Sequence, residues 1–258
     1  MRFPLRLTAD LAMARFARRS HLALDSKPVQ FVDAAEILHH DSDHPVSHEK
    51  IREIISSGSP VVWIGGSEPL HHPGVSHLVR AIAGSGHFVF LETDGTLLRR
   101  RIHEFQPVSR LFLTVRMESG GQRQTSKTLR ANSLELAAEG IHAARLSGFL
   151  ICVLARVRVE TELGEMAELI QFARALDVDG IVISPANGGS SSANADAVTL
   201  QRQTAEARML IGSKWWESFS RLIEPVVSSD RQGARNTEET AVRVEQEAHS
   251  NEENVRVA

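Results

Sequence analysis

Six apolar runs, each followed by a polar turn, organise the first 185 residues of the chain. Runs of this kind are typical of strands buried on both faces of a parallel sheet. The first strand has the weakest pattern, since residues 21–24 and 29–32 both qualify and leave its register open. We predict the other five strands at residues 60–64, 87–91, 110–115, 149–159 and 180–184.

Helical patterning separates these runs. We predict helices over residues 8–19, 47–57, 74–85, 97–105, 129–147, 161–176 and 199–223. Thr8, Ser47 and Thr161 are predicted N-caps, because a hydroxyl oxygen can accept a hydrogen bond from a free amide of the first helical turn. Residues 116–128 and 186–197 contain few apolar side chains and several glycines, so we predict loops there.

Alternation of six strands with helices predicts parallel βαβ units with right-handed crossovers. The fold class is therefore α/β, and an open, partial (β/α)6 TIM-like barrel fits best. A doubly wound, flavodoxin-like sheet is the alternative, and alternation alone does not separate the two. We expect an N-terminal helix over residues 1–20, the barrel over 21–225 and a disordered tail over 226–258, because the tail is polar and has no aromatic residue.

Composition narrows the class of protein. A hydrophobic content of 42% and a charged content of 24% are ordinary for a soluble domain, and the net charge of -3 gives no signal for nucleic acid. No apolar run approaches the roughly 20 residues that a membrane span needs, and no signal peptide is evident. Cys152 is the one cysteine of the chain, which fits a cytoplasmic protein, and we expect it to act as a small buried apolar residue.

The stretch PVVWIGGSEPLHHP, residues 60–73, carries the strongest local signal for a ligand site. Glycine lets the backbone turn sharply and approach a ligand closely, and here Gly65 and Gly66 follow the apolar run directly. Glu68 then places a carboxylate at the carboxyl end of the strand, where α/β folds bind ligands. An ordinary turn between strand and helix is the alternative interpretation.

Three stretches in this order, PVVWIGGSEPLHHPGVSHLVRAI, HFVFLETDGTLL and DVDGIVISPANG, resemble the core of radical S-adenosylmethionine (radical SAM) enzymes. The branch that includes the hopanoid adenosyl transferases is the most similar. The resemblance implies that Gly66 and Glu68 hold the aminoacyl end of S-adenosylmethionine, with Ser67 where the family has a second glycine. Thr93 and Gly95 match the turn after strand three, with Asp94 in place of the Asn of the family. The cofactor-binding candidates are Gly65, Gly66, Ser67, Glu68, Thr93, Asp94 and Ser184.

Two further features depart from the family. At the end of strand four, Thr114-Val115-Arg116-Met117 lacks the usual polar contact or replaces it. The family also needs three cysteines in a CxxxCxxC loop to ligate a [4Fe–4S] cluster, and no cysteine precedes Cys152. We therefore expect no cluster, and we interpret the chain as a pseudoenzyme that keeps the fold as a small-molecule or S-adenosylmethionine binding or regulatory module.

Two other functions stay open at this point. Imidazole and carboxylate groups bind zinc or iron, so a His/Asp-rich loop could take the place of the cluster in a metal-dependent enzyme. Its candidate ligands are His39, His40, Asp43, His44 and His72. However, Pro45 favours a solvated loop. The third function is that of an inactive subunit that pairs with an active paralogue.

A run of three arginines and a pair of tryptophans are interpreted as structural and not as functional features. Arg99, Arg100 and Arg101 are predicted to form a solvated helix face. Trp215 and Trp216 are predicted to cover the open edge of the barrel, because indole rings bury a large area.

Overall fold

A computed structural model describes residues 3–19, 27–37, 48–118, 127–186 and 194–225 of the chain. The predicted tail, residues 226–258, lies outside the described residues, as does the earlier candidate for the first strand, residues 21–24. No helix of the described part is both long enough and apolar enough to cross a membrane.

Six parallel strands form one sheet. They are β1 Val29–Asp33, β2 Val61–Gly65, β3 Phe88–Thr93, β4 Leu111–Glu118, β5 Leu150–Val157 and β6 Gly180–Pro185. Nearly every residue of the four strands from β2 to β5 is buried, because helices and aromatic side chains cover both faces. The apolar runs of the sequence therefore mark the strands correctly.

The order of the strands separates the two predicted architectures. Each strand pairs with the next one along the chain, from β1 to β6, and all five pairings are parallel. A doubly wound sheet reverses its strand order at a switch point, and this sheet has no such reversal. The sheet curls into a half-barrel, which confirms the partial (β/α)6 TIM-like fold.

Helices precede the first strand, lie between consecutive strands and follow the last strand. They are α1 Leu5–Arg19, α2 Ala34–Ile37, α3 His48–Ser56, α4 Val75–Gly84, α5 Leu98–Arg101, α6 Lys127–Leu146, α7 Leu163–Ala175, α8 Asn194–Met209 and α9 over residues 214–225. Two short 3-10 helices, Pro69–His71 and Ile102–Glu104, follow β2 and α5.

Several boundaries differ from the predicted ones. Helix α1 begins before Thr8, and the Thr8 hydroxyl donates to the carbonyl of Pro4 instead of capping the helix. The hydroxyl of Thr161 accepts from the amide of Arg158, so it closes the preceding turn, and Glu162 takes the N-cap position of α7. Both N-cap predictions are wrong, because a hydroxyl can satisfy either a turn or a helix end. Ser47 lies outside the described residues.

Two predicted loops are shorter than expected. Strand β4 continues to Glu118, because its last residues pair with β5 even though few of them are apolar. Helix α8 begins at Asn194, inside the predicted loop 186–197. The long helix predicted over 199–223 is divided into α8 and α9 near Gly212, whose φ of 62° is left-handed and favours glycine.

An aromatic cluster forms the core on one face of the sheet. We define the aromatic face as the face that bears Trp63, Phe90 and Phe112, whose rings stack in sequence at centroid distances of 5.3 and 4.6 Å. Helix α9 packs Trp216 and Phe219 against these rings. Trp216 is fully buried, as predicted.

Trp215, in contrast, is 58% exposed, so the prediction that both indoles cover the barrel is wrong for this residue. Its ring stacks on Phe3 at 6.0 Å. A Cβ at Gly180 would overlap the ring of Trp216, which explains why the first position of β6 is a glycine.

Candidate functional site

Glu68 connects the turn after β2 to the turn after β3. Its Oε1 atom accepts from the hydroxyl of Thr93 at 2.7 Å and from the amide of Leu70 at 3.1 Å. Its Oε2 atom accepts from the amide of Asp94 at 2.7 Å. The structure therefore brings three of the predicted residues, Glu68, Thr93 and Asp94, together at the carboxyl edge of the sheet.

The environment of Glu68 makes its negative charge costly. Burial is the largest influence and raises the pKa of the Glu68 carboxyl above its ordinary value. The hydrogen bonds from Asp94, Thr93 and Leu70 act in the opposite direction, while the charge of Asp94 raises the pKa further. A cation placed beside Glu68 and Asp94 would relieve both the desolvation and the repulsion between the carboxylates.

Both the backbone conformation and a neighbouring strand require a glycine at position 66. Its φ of 85° is left-handed, which favours glycine, and a Cβ at this position would overlap the carboxylate of Asp33 at the end of β1. Asp33 in turn accepts from the amide of Ala35 at 2.8 Å. The glycine thus allows the turn to close against β1, and the neighbouring Ser67 is exposed to solvent.

The turn after β3 is closed by its own side chains. The Thr93 hydroxyl accepts from the amide of Gly95 at 3.1 Å, and Asp94 Oδ1 accepts from the amide and the hydroxyl of Thr96 at 2.8 and 2.7 Å. Gly95 has a φ of 82°, and a Cβ there would lie 3.0 Å from the side chain of Ala137. The turn that holds Glu68 is therefore fixed before any ligand arrives.

Ser184 lies in another part of the sheet. It is fully buried in β6, four strands away from β2 in the strand order, and it is in register with Arg156. Its hydroxyl lies 3.5 Å from the carbonyl oxygen of Pro185, its own neighbour. The structure describes no contact between Ser184 and Glu68, so these two predicted residues are not brought together.

A buried charged cluster lies on the aromatic face beside this site. Glu92 of β3 is 3% exposed, and its Oε2 atom accepts from the indole Nε1 of Trp63 at 3.0 Å. Its Oε1 atom lies 3.0 Å from a guanidinium nitrogen of Arg116 and 3.5 Å from one of Arg156. A Cβ at Gly65 would lie 3.0 Å from Glu92 Oε2, so the glycine leaves room for this carboxylate.

The cluster around Glu92 was not predicted from the sequence. The side chains of Glu92 and Arg116 share a face because residues alternate along each strand, and the pairing of β3 with β4 places them close together. Alternation of Arg156 and Arg158 with apolar residues in strand five was the available signal. Near the end of β4, Arg116 is the residue of the stretch 114–117 that forms an ion pair with Glu92.

His72 and Arg101 have structural partners. His72 is buried, and its Nδ1 atom accepts from the amide of Gly74 at 2.9 Å, so it stabilises the start of α4. Arg101 donates to the carbonyl oxygens of His72, at 3.0 Å, and of Leu70. The prediction of a solvated arginine face is wrong for Arg101, which is mostly buried, although Arg99 is exposed.

The remaining metal candidates, His39, His40, Asp43 and His44, lie outside the described residues. Within the described ranges, no group of three or more His, Cys, Asp or Glu side chains is placed to hold a metal ion.

Cys152 does not fit the ligand set of an iron–sulfur cluster. It lies in the interior of β5, fully buried, and burial raises the pKa of its thiol well above the ordinary value. Iron–sulfur clusters are held by several thiolates, and this chain contains one cysteine. The cysteine content of the chain therefore does not fit the three-thiolate cluster that the resemblance implies.

A curated protein is similar in sequence to this chain over most of its length. The GTP 3',8-cyclase 2 of Pseudomonas aeruginosa is 26% identical over 196 residues, which cover 74% of this chain and 57% of the cyclase. No protein-family model matches the chain. The chain thus spans little more than half the length of this relative.

Solved structures show the same fold at low sequence identity. SuiB of Streptococcus suis bound to S-adenosylmethionine aligns with a TM-score of 0.53 and 11% identity, over 77% of this chain and 51% of SuiB. SuiB bound to the precursor peptide SuiA gives the same TM-score and identity, over 77% of this chain and 50% of SuiB.

Proposed function

Because the chain resembles the radical SAM superfamily, to which the cyclase and SuiB belong, and shares its fold, we propose that it binds S-adenosylmethionine beside Glu68. The site lies at the carboxyl ends of β2 and β3. The chain acts there as a small-molecule binding or regulatory module.

The carboxylate of Glu68 is the observation that carries this proposal. S-adenosylmethionine has an ammonium group at its aminoacyl end, and charge-assisted hydrogen bonds to carboxylates are among the strong ones. Glu68 is anchored by three neutral donors, so its charge is positioned but not cancelled by a described cation. Asp94 adds a second carboxylate next to it. Binding of an ammonium group is therefore favoured at this edge of the sheet.

We further propose that the chain does not cleave S-adenosylmethionine reductively with a cluster of its own. The proposal rests on the cysteine content, since one buried thiol does not replace three thiolate ligands. A cytoplasmic location and an active paralogue as partner stay predictions.

The decisive experiment is a calorimetric titration of the purified protein with S-adenosylmethionine. We expect saturable binding by the parent chain and at least about tenfold weaker binding by Glu68→Gln, because a hydrogen bond to a charged group contributes about 1.5–3 kcal/mol. Glu168→Gln, at an exposed position of α7, is the matched control and should bind like the parent. Absence of binding by the parent, or equal binding by Glu68→Gln, would contradict the proposal.

The same preparation tests the absence of a cluster. After anoxic reconstitution with iron and sulfide, we expect no absorption from a [4Fe–4S] cluster and no reductive cleavage of S-adenosylmethionine. Cleavage at a rate proportional to the protein concentration would contradict the proposal that the chain has no cluster of its own. It would not affect the proposal that the chain binds S-adenosylmethionine.

A further inference from the structure

A cavity lies between helix α4 and the segment 105–111, which leads into β4. Its volume is about 280 Å³, close to the lower end of small-molecule sites, which span roughly 300–1,000 Å³. Its apolar wall is formed by Val79, Ala83, Phe105 and Leu111, all nearly buried. This wall can hold the apolar body of a small ligand.

The polar residues of α4 that face this cavity follow helical spacing. Ser76 and Arg80 are four residues apart, and Ala83 follows at the next turn, so they share one side of the helix. Ser76 is 7% exposed, and its hydroxyl has no hydrogen-bond partner within the described part of the chain. The protein does not fully enclose this hydroxyl oxygen, so a polar ligand atom that enters the cavity can form a hydrogen bond with it.

The charge around this cavity has one sign. Arg80 and Arg110 line it, whereas no Asp or Glu among the described residues does. Neither arginine forms an ion pair with a described residue. The guanidinium of Arg110 lies over the ring of Phe88, 5.4 Å from its centroid. Guanidinium groups bind carboxylate and phosphate oxygens in a bidentate manner.

From these observations we propose that the cavity binds a small molecule with an apolar body and one oxyanion headgroup. The body lies against Val79 and Phe105, the headgroup contacts Arg80 and Arg110, and Ser76 donates to the ligand. This site is separate from Glu68, since the cavity reaches Leu111 at the amino end of β4, whereas the Glu68 turn lies at the carboxyl edge of the sheet. The inference is therefore independent of the proposed function.

Three probes of equal chain length test the headgroup: octanoate, octyl phosphate and octanol. We expect saturable binding of at least one of the two anions by calorimetry, and at least about tenfold weaker binding of octanol, because octanol lacks the charge. The ratio of the two anion affinities distinguishes a carboxylate from a phosphate ligand. Equal affinity for octanol and both anions, or no saturable binding of either anion, would overturn the proposal.

Variants of the cavity test its location. Gly84 lines the cavity, and a Cβ there would meet no atom within 4 Å, so Gly84→Phe introduces a bulky side chain at its wall from an unobstructed Cβ position. We expect Gly84→Phe to abolish binding of the anionic probe and Gly84→Ala to retain it. Retained binding in Gly84→Phe, with an intact circular dichroism spectrum, would place the probe elsewhere and overturn the proposal.

The charge is tested at Arg80. We expect Arg80→Gln to bind the anionic probe at least about tenfold more weakly, since a hydrogen bond to an ionised group is lost. Arg100→Gln makes the same change at an exposed position outside the cavity and should leave the affinity unaltered. Equal weakening in both variants would mean that the net charge of the protein, not this site, attracts the anion.

Discussion

Two glutamates at the ends of adjacent strands stand in opposite electrostatic environments. Glu68, after β2, is partly exposed and accepts hydrogen bonds from two backbone amides and one hydroxyl. Glu92, in β3, is buried and contacts the guanidinium groups of Arg116 and Arg156 and the indole of Trp63. Both carboxylates are held in place, but by donors of different charge.

The difference indicates what each carboxylate does. Neutral donors stabilise an anion without cancelling its charge, so Glu68 keeps an attraction for a cationic ligand. Guanidinium groups cancel the charge of Glu92, and its burial makes that pairing part of the structure of the sheet. Loss of Glu92 should therefore affect stability most, whereas loss of Glu68 should affect binding most.

The largest expected effect comes from Glu92→Gln. This change leaves Arg116 and Arg156 without their shared carboxylate in a buried region, and breaking a buried ion pair typically costs about 3–5 kcal/mol. We expect the free energy of unfolding, measured by urea denaturation, to fall by about that amount.

The control for this prediction is Glu118→Gln, which removes the more exposed ion pair with Arg158. We expect a loss of about 0–1 kcal/mol there, because solvent screens such pairs. Similar losses in the two variants would mean that burial does not distinguish the two ion pairs.

The next effect concerns pH and Glu68. Its raised pKa means that the folded protein binds this proton more tightly than the unfolded chain does, so Glu68 contributes stability below its unfolded pKa that is lost as pH rises through the folded pKa. The binding of an ammonium group changes with pH in the opposite direction. It is strongest above the folded pKa of Glu68, because it requires the deprotonated carboxylate.

We therefore expect the affinity for S-adenosylmethionine to fall, by up to about tenfold per pH unit, as pH drops below the raised pKa of Glu68. Calorimetric titrations from about pH 8 down to about pH 4 measure this dependence. In Glu68→Gln the remaining affinity should not change over the same range. An affinity of the parent that rises towards acid pH would show that the carboxylate is not the group that binds.

Much of the fold was predictable from the sequence, because each strand is a compact apolar run bounded by a polar turn. The half-barrel itself was not determined by that pattern, since a doubly wound sheet has the same alternation. The two architectures differ in strand order, which depends on how the connecting helices pack and not on local periodicity. Helix ends were least predictable, as Thr8 and Thr161 show, because a hydroxyl serves turns as well as caps.

The site was predictable where it follows a local motif. Glu68 lies in the turn after β2, Thr93 ends β3 and Asp94 follows it, and these adjacent parallel strands bring the three residues together. Ser184 also lies near the end of a strand, but β6 is four strands away from β2 in a strand order that local periodicity does not determine. The cluster around Glu92 combines residues of four strands, so only the register from β2 to β5 identifies it.

The smallest expected effect concerns the neutral hydrogen-bond donors of Glu68. Thr93→Val keeps the shape of the side chain but removes the hydroxyl that donates to Glu68 and accepts from the amide of Gly95. We expect the free energy of unfolding to fall by about 1–2 kcal/mol, because buried polar groups lose partners. Since that hydrogen bond lowers the pKa of Glu68, its loss should move the pH dependence of S-adenosylmethionine binding to higher pH. The control is Thr93→Ser, which keeps the hydroxyl and should show the same pH dependence of binding as the parent. An identical shift in both variants would mean that packing, and not the hydrogen bond, causes the effect.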